Sequence, residues 1–248
     1  MDSSIQKSTS PEKKLSSLSI FFPCYNDAGT IASIVALAYI TARKLTEDFE
    51  VIVVDDGSTD AGLEILDELE RLYPNLQVIR HEQNRGYGGA LKTGFAASSK
   101  VFVFYTDGDI QYDVSELACL AEQMQDGVDL VNGYKIRRSD SLWRKIIGYS
   151  YNAFARFAFG IRLRDIDCDF RLIRRSVFDK VRLYSDTGVI CVEMTKKIQE
   201  NGFTFREVPV THHFRSYGRS QFFTPAHVFR SLVAITRLWW DMIVMQRV

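Results

Sequence analysis

Four short apolar runs, LSIFFP (18–23), FEVIVVDD (49–56), LQVIRH (76–81) and KVFVFYTD (100–107), punctuate the first half of this chain. The second and fourth do not alternate apolar with polar residues, so they read as strands covered on both faces. Between the runs lie AGTIASIVALAYITARKL (28–45), TDAGLEILDELERLY (59–73) and GGALKTGFAASS (88–99), with apolar residues at helical spacing. Thr59 or Ser58 is the expected N-cap of the second helix. Strand and helix alternating in this way predict an α/β fold, a mostly parallel central sheet flanked by helices.

Beyond residue 113 the rhythm loosens. VSELACLAEQMQ reads as a helix, VDLVNGYK as a strand and SLWRKIIGYSYNAFARFAFG as a long aromatic helix. FTFREVPVTHHF (203–214) alternates like a strand of an antiparallel or mixed sheet. There is no internal repeat, so one domain with an elaborated second half is expected over 18–224. A polar tail precedes it at 1–17 and an amphipathic helix follows at 225–248. A chain of 248 residues, 46% hydrophobic, can build a real core.

Formal net charge is zero, which gives no bulk attraction to nucleic acid. Charge is unevenly spread, however: residues 135–182 hold thirteen Lys or Arg against five acids, either a solvated face or a surface for phosphates. Cys24, Cys119, Cys168 and Cys191 are too dispersed for a zinc site or a disulfide framework, and a reducing cytoplasm is the expected compartment. The polar N-terminus lacks the apolar core of a signal peptide, and no uncharged run approaches the roughly 20 residues that span a bilayer.

The strand ends carry the chemistry. Asp107 and Asp109 follow the fourth run, and the D-x-D spacing aims two carboxylates at one point, with Gly108 allowing close approach of a ligand. Hard oxygen ligands suit Mg2+ or Mn2+ held together with substrate phosphates, and Gln111 can add a carbonyl oxygen or hold a water. The alternative is an ordinary solvent-exposed turn. Asp55 and Asp56 close the second run, where an acid accepts from a ribose or base N–H, or else caps the next helix. FPCYND puts Pro23, Tyr25, Asn26 and Asp27 at the same edge. Three consecutive strand ends bearing acids or polar groups favour a site over three unrelated turns.

FPCYND, VIVVDDGSTD, NRGYGGALKTGF and YTDGDIQ, in this order and spacing, resemble the large inverting glycosyltransferase family with the GT-A fold, which includes dolichol-phosphate and polyprenyl-phosphate glycosyltransferases. The resemblance covers about residues 18–220. It implies that Pro23, Tyr25, Asp27 and Asp55 or Asp56 bind the nucleoside, and that Asp107, Asp109 and Gln111 hold a divalent cation on the diphosphate. Asp27 stands where the family usually has the longer glutamate. The glycine run is neither a dinucleotide fingerprint, since Leu91 stands where glycine is needed, nor a Walker A loop, since Lys92 and Thr93 precede Gly94. The resemblance places it beside the sugar nucleotide and makes Arg85 and Gly86 donor-site candidates.

The second half should carry the acceptor. DIDCDFRLIRR (165–175) resembles the family's D-x-x-C/S-G-F-R/K segment, with Asp169 in a position usually given to a small residue and Arg171 in the basic position. THHFRSYGRSQF resembles an R-x-x-G-x-S segment near the phosphates of polyprenyl-phosphate enzymes, matching Arg215, Gly218 and Ser220; an Arg fork suits phosphate. His212 and His213 read either as a strand-end pair with one ring in and one out, or with His213 on a phosphate. A lipid phosphate acceptor is already anionic and needs no strong base, whereas a hydroxyl does. Asp165, Asp167 and Glu193 are the candidate bases, and the sequence does not choose among them.

The resemblance therefore implies an inverting, Mg2+- or Mn2+-dependent transfer of a sugar from a UDP- or GDP-linked donor to a polyprenyl or dolichyl phosphate. The alternatives are transfer to a hydroxyl of a glycan or small molecule, or a non-catalytic nucleotide-binding protein. In PAHVFRSLVAITRLWWDMIVMQRV, Val228, Leu232, Ile235, Trp239 and Ile243 share a helical stripe with Arg residues between them. It reads as a helix packed on the core or a homodimer partner, or as one lying peripherally on the cytosolic face of a membrane.

Overall fold

The apolar runs lack alternation because both of their faces are covered. Leu18, Ile20 and Phe22 pack into one core, with Val51, Val53, Phe102 and Phe104. Phe21 turns to the other face and packs with Ile52, Val54, Val103 and Tyr105. Each such side chain contributes about 1.5–3 kcal/mol on full burial. The computed structural model describes residues 14–138, 142–215, 217 and 225–246.

Strands β1 (Leu18–Cys24), β2 (Phe49–Asp55), β3 (Leu76–Arg80) and β4 (Phe102–Thr106) alternate with helices α1 (Ile31–Leu45), α2 (Gly62–Leu72) and α3 (Gly86–Ala97). These match the seven segments expected, to within a few residues at each end. There follow α4 (Leu117–Gln123), β5 (Leu130–Arg138), α5 (Leu142–Phe159), β6 (Phe170–Arg174), α6 (Ile190–Glu200), β7 (Phe205–His212) and α7 (Pro225–Trp239). A π turn, Trp240–Val244, continues the last helix. Sheet order is β3-β2-β1-β4-β6-β5-β7. The neighbours β3-β2-β1-β4 are parallel, as are β5 and β7, while β6 runs antiparallel to both β4 and β5. The α/β expectation of a mostly parallel sheet is met, and β7 joins a mixed sheet.

Two elements escape the sequence pattern. β6 lies in a charged segment whose Arg171 is fully buried, and α6 follows a loop with no capping residue. The α2 N-cap is also not the one expected. It is Ala61, without a side-chain bond, and Asp60 Oδ1 accepts from Gly62 N–H at 2.9 Å. Ser58 and Thr59 are drawn instead to the end of β1, where Ser58 Oγ accepts from Asn26 N–H at 2.9 Å and Thr59 N–H donates to Asn26 Oδ1 at 2.8 Å. Asp60 Oδ2 adds a third tie, to Ala28 N–H at 3.0 Å. The loops after β1 and β2 are thereby held as one rim.

Helix α7 packs on α5 through the Trp239 indole, which donates to the Ala158 carbonyl at 3.0 Å, and sends Ile235 into the second core, where Met242 of the π turn joins it. No helix among the described residues is long and apolar enough to cross a membrane.

Candidate active site

Parallel strands β1, β2 and β4 end at one edge of the sheet, so the polar residues that follow them meet there. They wall a cleft of about 930 Å³. From β1 come Pro23, Tyr25, Asn26 and Asp27; from β2, Asp56; from the start of α3, Arg85, Gly86 and Tyr87; from β4, Asp107, Gly108 and Asp109. The loop before α6 adds Asp186, Thr187 and Gly188, and the chain beyond β7 adds Arg215, Tyr217, Arg230 and Ser231. Asp56, Asp107 and Asp109 thus face a common space.

Of the two acids after β2, Asp56 lines the cleft. Asp55 is 1% exposed and turns to its own loop, accepting from Ser58 N–H at 3.3 Å. Asp27 Oδ2 accepts from Tyr25 N–H at 3.3 Å. Burial raises the Asp27 carboxyl to about 6, Asp109 adds to the rise, and the Tyr25 N–H and Arg215 oppose it. Asp107 Oδ1 accepts from Tyr87 O–H at 2.8 Å. Burial, then the nearby Asp169 and Asp109, push its carboxyl well above the usual range. Asp109 is 2% exposed; its Oδ1 accepts from Gln111 N–H at 3.0 Å and its Oδ2 from Arg215 Nη2 at 2.5 Å.

Carboxylates crowded in this way favour a compensating positive charge, and an all-oxygen donor set suits Mg2+ or Mn2+. No cage of three or more His, Cys, Asp or Glu exists among the described residues. Gln111 takes a different part from the one expected. It does not line the cleft; its side-chain amide donates to the His213 carbonyl at 3.1 Å while its backbone carbonyl accepts from His213 N–H at 2.7 Å. It joins the loop after β4 to the end of β7.

The glycine run serves a close approach within the protein. Gly86 has φ +80°, and a Cβ on it would lie 2.5 Å from the Asp186 carbonyl; one on Gly88 would lie 2.2 Å from that of Ser185. Only glycine lets the 185–188 loop lie on α3 and form the far wall of the cleft.

The expected bases are not at this cleft. Glu193 is 1% exposed and ion-paired with Lys197 Nζ at 2.7 Å; its two oxygens accept from Tyr184 N–H at 2.9 Å and Ser185 N–H at 2.8 Å. Burial opposes ionisation, but these bonds prevail and hold its carboxyl below the ordinary range. It anchors the wall loop. Asp165 is likewise buried, accepting from Asn152 Nδ2 at 2.8 Å and from Lys135 N–H and Asp167 N–H at 3.3 Å. Asp167 is exposed, and its backbone carbonyl accepts from Lys135 Nζ. Arg171, expected on the acceptor, is enclosed beneath the sheet, donating to Asn132 Oδ1 at 2.7 Å and to the Ile166 carbonyl at 2.5 Å. No ligand in the cleft reaches it.

His212 packs inward on Tyr112, with ring centroids 5.2 Å apart, and His213 points outward, which is the strand-end reading. Ser220 and Gly218 lie outside the described residues. The sequence reading missed Tyr87, although it stands inside the quoted glycine run. It also missed His81, whose ring bonds to Asp56 at 2.6 Å and which no motif marks.

The sequence description of Glycosyl transferase family 2 matches residues 19–182. The chain is 28% identical over 214 residues to undecaprenyl-phosphate 4-deoxy-4-formamido-L-arabinose transferase of Proteus mirabilis, covering 85% of this chain and 64% of that protein. It is 28% identical over 238 residues to the Yersinia enterocolitica protein of the same name, covering 94% and 68%. The chain therefore spans about two thirds of the length of these relatives. Among solved structures it is similar to glucosyl-3-phosphoglycerate synthase from Mycobacterium tuberculosis in complex with Mn2+ and UDP-glucose, with TM-score 0.68, 18% identity, and 90% and 78% coverage. The same enzyme with Mg2+ and UDP gives TM-score 0.67 at 16% identity, with 90% and 79% coverage. The fold is GT-A.

Proposed function

Given that this chain belongs to glycosyl transferase family 2, we propose that it is an inverting, metal-dependent glycosyltransferase that moves a sugar from a UDP- or GDP-linked donor to a polyprenyl phosphate. The observation that carries this reading is the convergence of Asp56, Asp107, Asp109 and Arg215 on one cleft. In it Asp56 and the residues after β1 hold the nucleoside, and Asp107 and Asp109 face the diphosphate. A bound Mg2+ or Mn2+ would offset the charge that grows on the leaving nucleoside diphosphate. Tyr87 orients Asp107 through its hydroxyl. Arg215, paired with Asp109, is within reach of phosphate oxygens entering the same cleft.

The acceptor class is supported by where the candidate bases lie and by the relatives. Glu193 and Asp165 spend their oxygens on other groups and do not line the cleft. A phosphate acceptor arrives as an anion and needs no base, so it is favoured over a hydroxyl. The relatives named for undecaprenyl phosphate support the same acceptor class.

A lipid substrate requires access to a bilayer. Phe154, Phe157 and Tyr149 of α5 and Phe229, Leu232, Val233 and Trp240 in and after α7 are all exposed, Phe157 to 91%. Arg156, Arg230 and Arg237 stand among them. Aromatic and aliphatic side chains interspersed with Arg suit the headgroup region of an anionic membrane. We infer that this face rests on a membrane surface.

The test is a thermal-shift panel of UDP- and GDP-sugars with and without Mn2+, followed by transfer to undecaprenyl phosphate in vesicles. Stabilisation by one donor only with the metal present, and product on the lipid phosphate, are expected. No metal-dependent donor binding would leave only a non-catalytic GT-A protein.

A further inference from the structure

Arg230 of α7 lines the cleft and, among the described residues, has neither an ion pair nor a hydrogen bond. The other guanidinium that the chain beyond β7 brings there is committed, with Arg215 held 2.5 Å from Asp109. Further along α7, Arg237 lies 3.9 Å from Asp241. The path to Arg230 is fixed at two points. Arg215 is tied to Asp109, and the ring of Tyr217 lies against Gly29, where a Cβ would come within 2.3 Å of it. The chain is thereby laid on the rim of the cleft before α7 begins at Pro225. Residues four apart share a helix face. Ile235 is buried in the second core, so Ser231, one turn earlier, also looks inward, and there it meets the cleft with Arg230 beside it. Phe229 and Val233 stand on the exposed side. Arg230 lies beyond residues 19–182, the stretch that the family description matches.

We propose that Arg230 binds the phosphate of a membrane-anchored acceptor where α7 borders the cleft. The inference rests on the glycosyltransferase reading and adds to it the residue that holds the acceptor's head group. One side of α7 carries exposed apolar side chains suited to a bilayer surface, and the other enters the cleft. A phosphate whose hydrocarbon chain stays in the bilayer therefore reaches the cleft past Arg230. The donor diphosphate has a separate place in the same reading, beside Asp107 and Asp109, and Arg215 is already bound to the second of these. A guanidinium presents five N–H donors in a fixed fork that fits phosphate oxygens two at a time. Because no carboxylate holds Arg230 among the described residues, taking up a phosphate there breaks no ion pair. Arg215 thus serves the donor and Arg230 the acceptor.

The experiment is equilibrium titration of the full chain, in Mg2+ with UDP and GDP present, using farnesyl phosphate, farnesol and inorganic phosphate. The first two share one hydrocarbon chain, so their difference reports the head group. The wild-type chain should bind farnesyl phosphate at least about tenfold more tightly than farnesol or inorganic phosphate. Arg230→Gln should lower farnesyl phosphate affinity by about tenfold while farnesol, UDP and GDP bind as before. Arg230→Lys, which keeps the charge and loses the fork, should fall between the two. Arg230 is exposed, so these variants should melt with the wild type. Unchanged farnesyl phosphate binding by Arg230→Gln overturns the inference and leaves the glycosyltransferase reading in place. An equal loss of nucleotide affinity assigns Arg230 to the donor instead, and an equal loss of farnesol affinity assigns it to the surrounding surface. Inorganic phosphate binding as tightly as farnesyl phosphate makes this a site for free phosphate. A comparable loss in sedimentation with anionic vesicles that lack polyprenyl phosphate makes Arg230 a contact for bulk head groups. Any of these four results also overturns the inference. A wild-type chain that binds no farnesyl phosphate overturns both it and the lipid-phosphate acceptor.

Discussion

Arg215 Nη2 lies 2.5 Å from Asp109 Oδ2, so the chain after β7 reaches back to the acid beyond β4 across 106 positions of sequence. The contact unites the two halves of the molecule at the cleft. Its partners differ in exposure, with the Asp109 side chain 3% exposed and that of Arg215 29%. The acid is the fixed member, and the half-exposed guanidinium is the one able to turn to a phosphate.

Arg215→Ala should therefore weaken binding of nucleoside diphosphate by about tenfold. Because its partner acid is 3% exposed, the charge-keeping Arg215→Lys is the variant whose melting temperature should change little while nucleotide affinity still falls. Titration and thermal unfolding on the same protein decide the matter. A loss of stability matching the loss of binding would assign Arg215 to the fold.

Asp109→Asn keeps an Oδ1 to accept from Gln111 N–H, so the loop should hold its shape. The charge is gone, and with it the part of nucleotide affinity that depends on Mn2+. Titration with and without Mn2+ should show the metal effect abolished, and an unchanged metal effect would remove Asp109 from the proposed cation site.

Asp27 gives stability a pH dependence of known sign. Its carboxyl sits near 6 in the folded chain against an ordinary value of 3.8. Between these values the folded state holds a proton that the unfolded chain releases, so this contribution is complete below about pH 4 and lost as pH rises through 6. Asp27→Asn should remove a fall on the order of 1–3 kcal/mol over that window. Denaturant unfolding at pH 4, 5, 6 and 7 measures it, and parallel curves for both proteins would show that Asp27 is not the group responsible.

Glu193→Gln leaves Lys197 buried without its counter-charge and should cost about 3 kcal/mol of stability. If the acid is an anchor, the transfer rate per folded molecule should survive. Loss of turnover with normal stability would restore Glu193 as a base.

Replacing Phe157, Leu232 and Trp240 together with serine tests the membrane face. All three are exposed, so thermal stability should be little changed. Sedimentation with vesicles containing anionic lipid should fall several-fold. Undiminished sedimentation would exclude this face. Deletion of the whole helix is a poorer test, because Ile235 and Met242 belong to the core.

The rim itself was legible because a strand buried on both faces must stay apolar until it leaves the sheet. The first polar residues after Phe22, Val54 and Thr106 therefore mark the edge where parallel strands open. β6 was not legible, since its Arg171 is enclosed by partners 39 and 5 residues away, and nothing local announces them. Glu193 misled for a related reason: an acid near a glycosyltransferase motif looks like a base until its hydrogen bonds are counted.

The sequence alone determined that acids would stand at the ends of β2 and β4, through nothing more than the order of apolar and polar residues along each strand. Which of them opens on the cleft is set by packing between distant segments. Asp55 and Asp56 are adjacent in the chain and identical in chemistry. One turns into its own loop while the other, with one oxygen held by His81 and Arg85, lines the cleft. Availability of a lone pair is a property of the groups packed around it, and those come from distant parts of the chain.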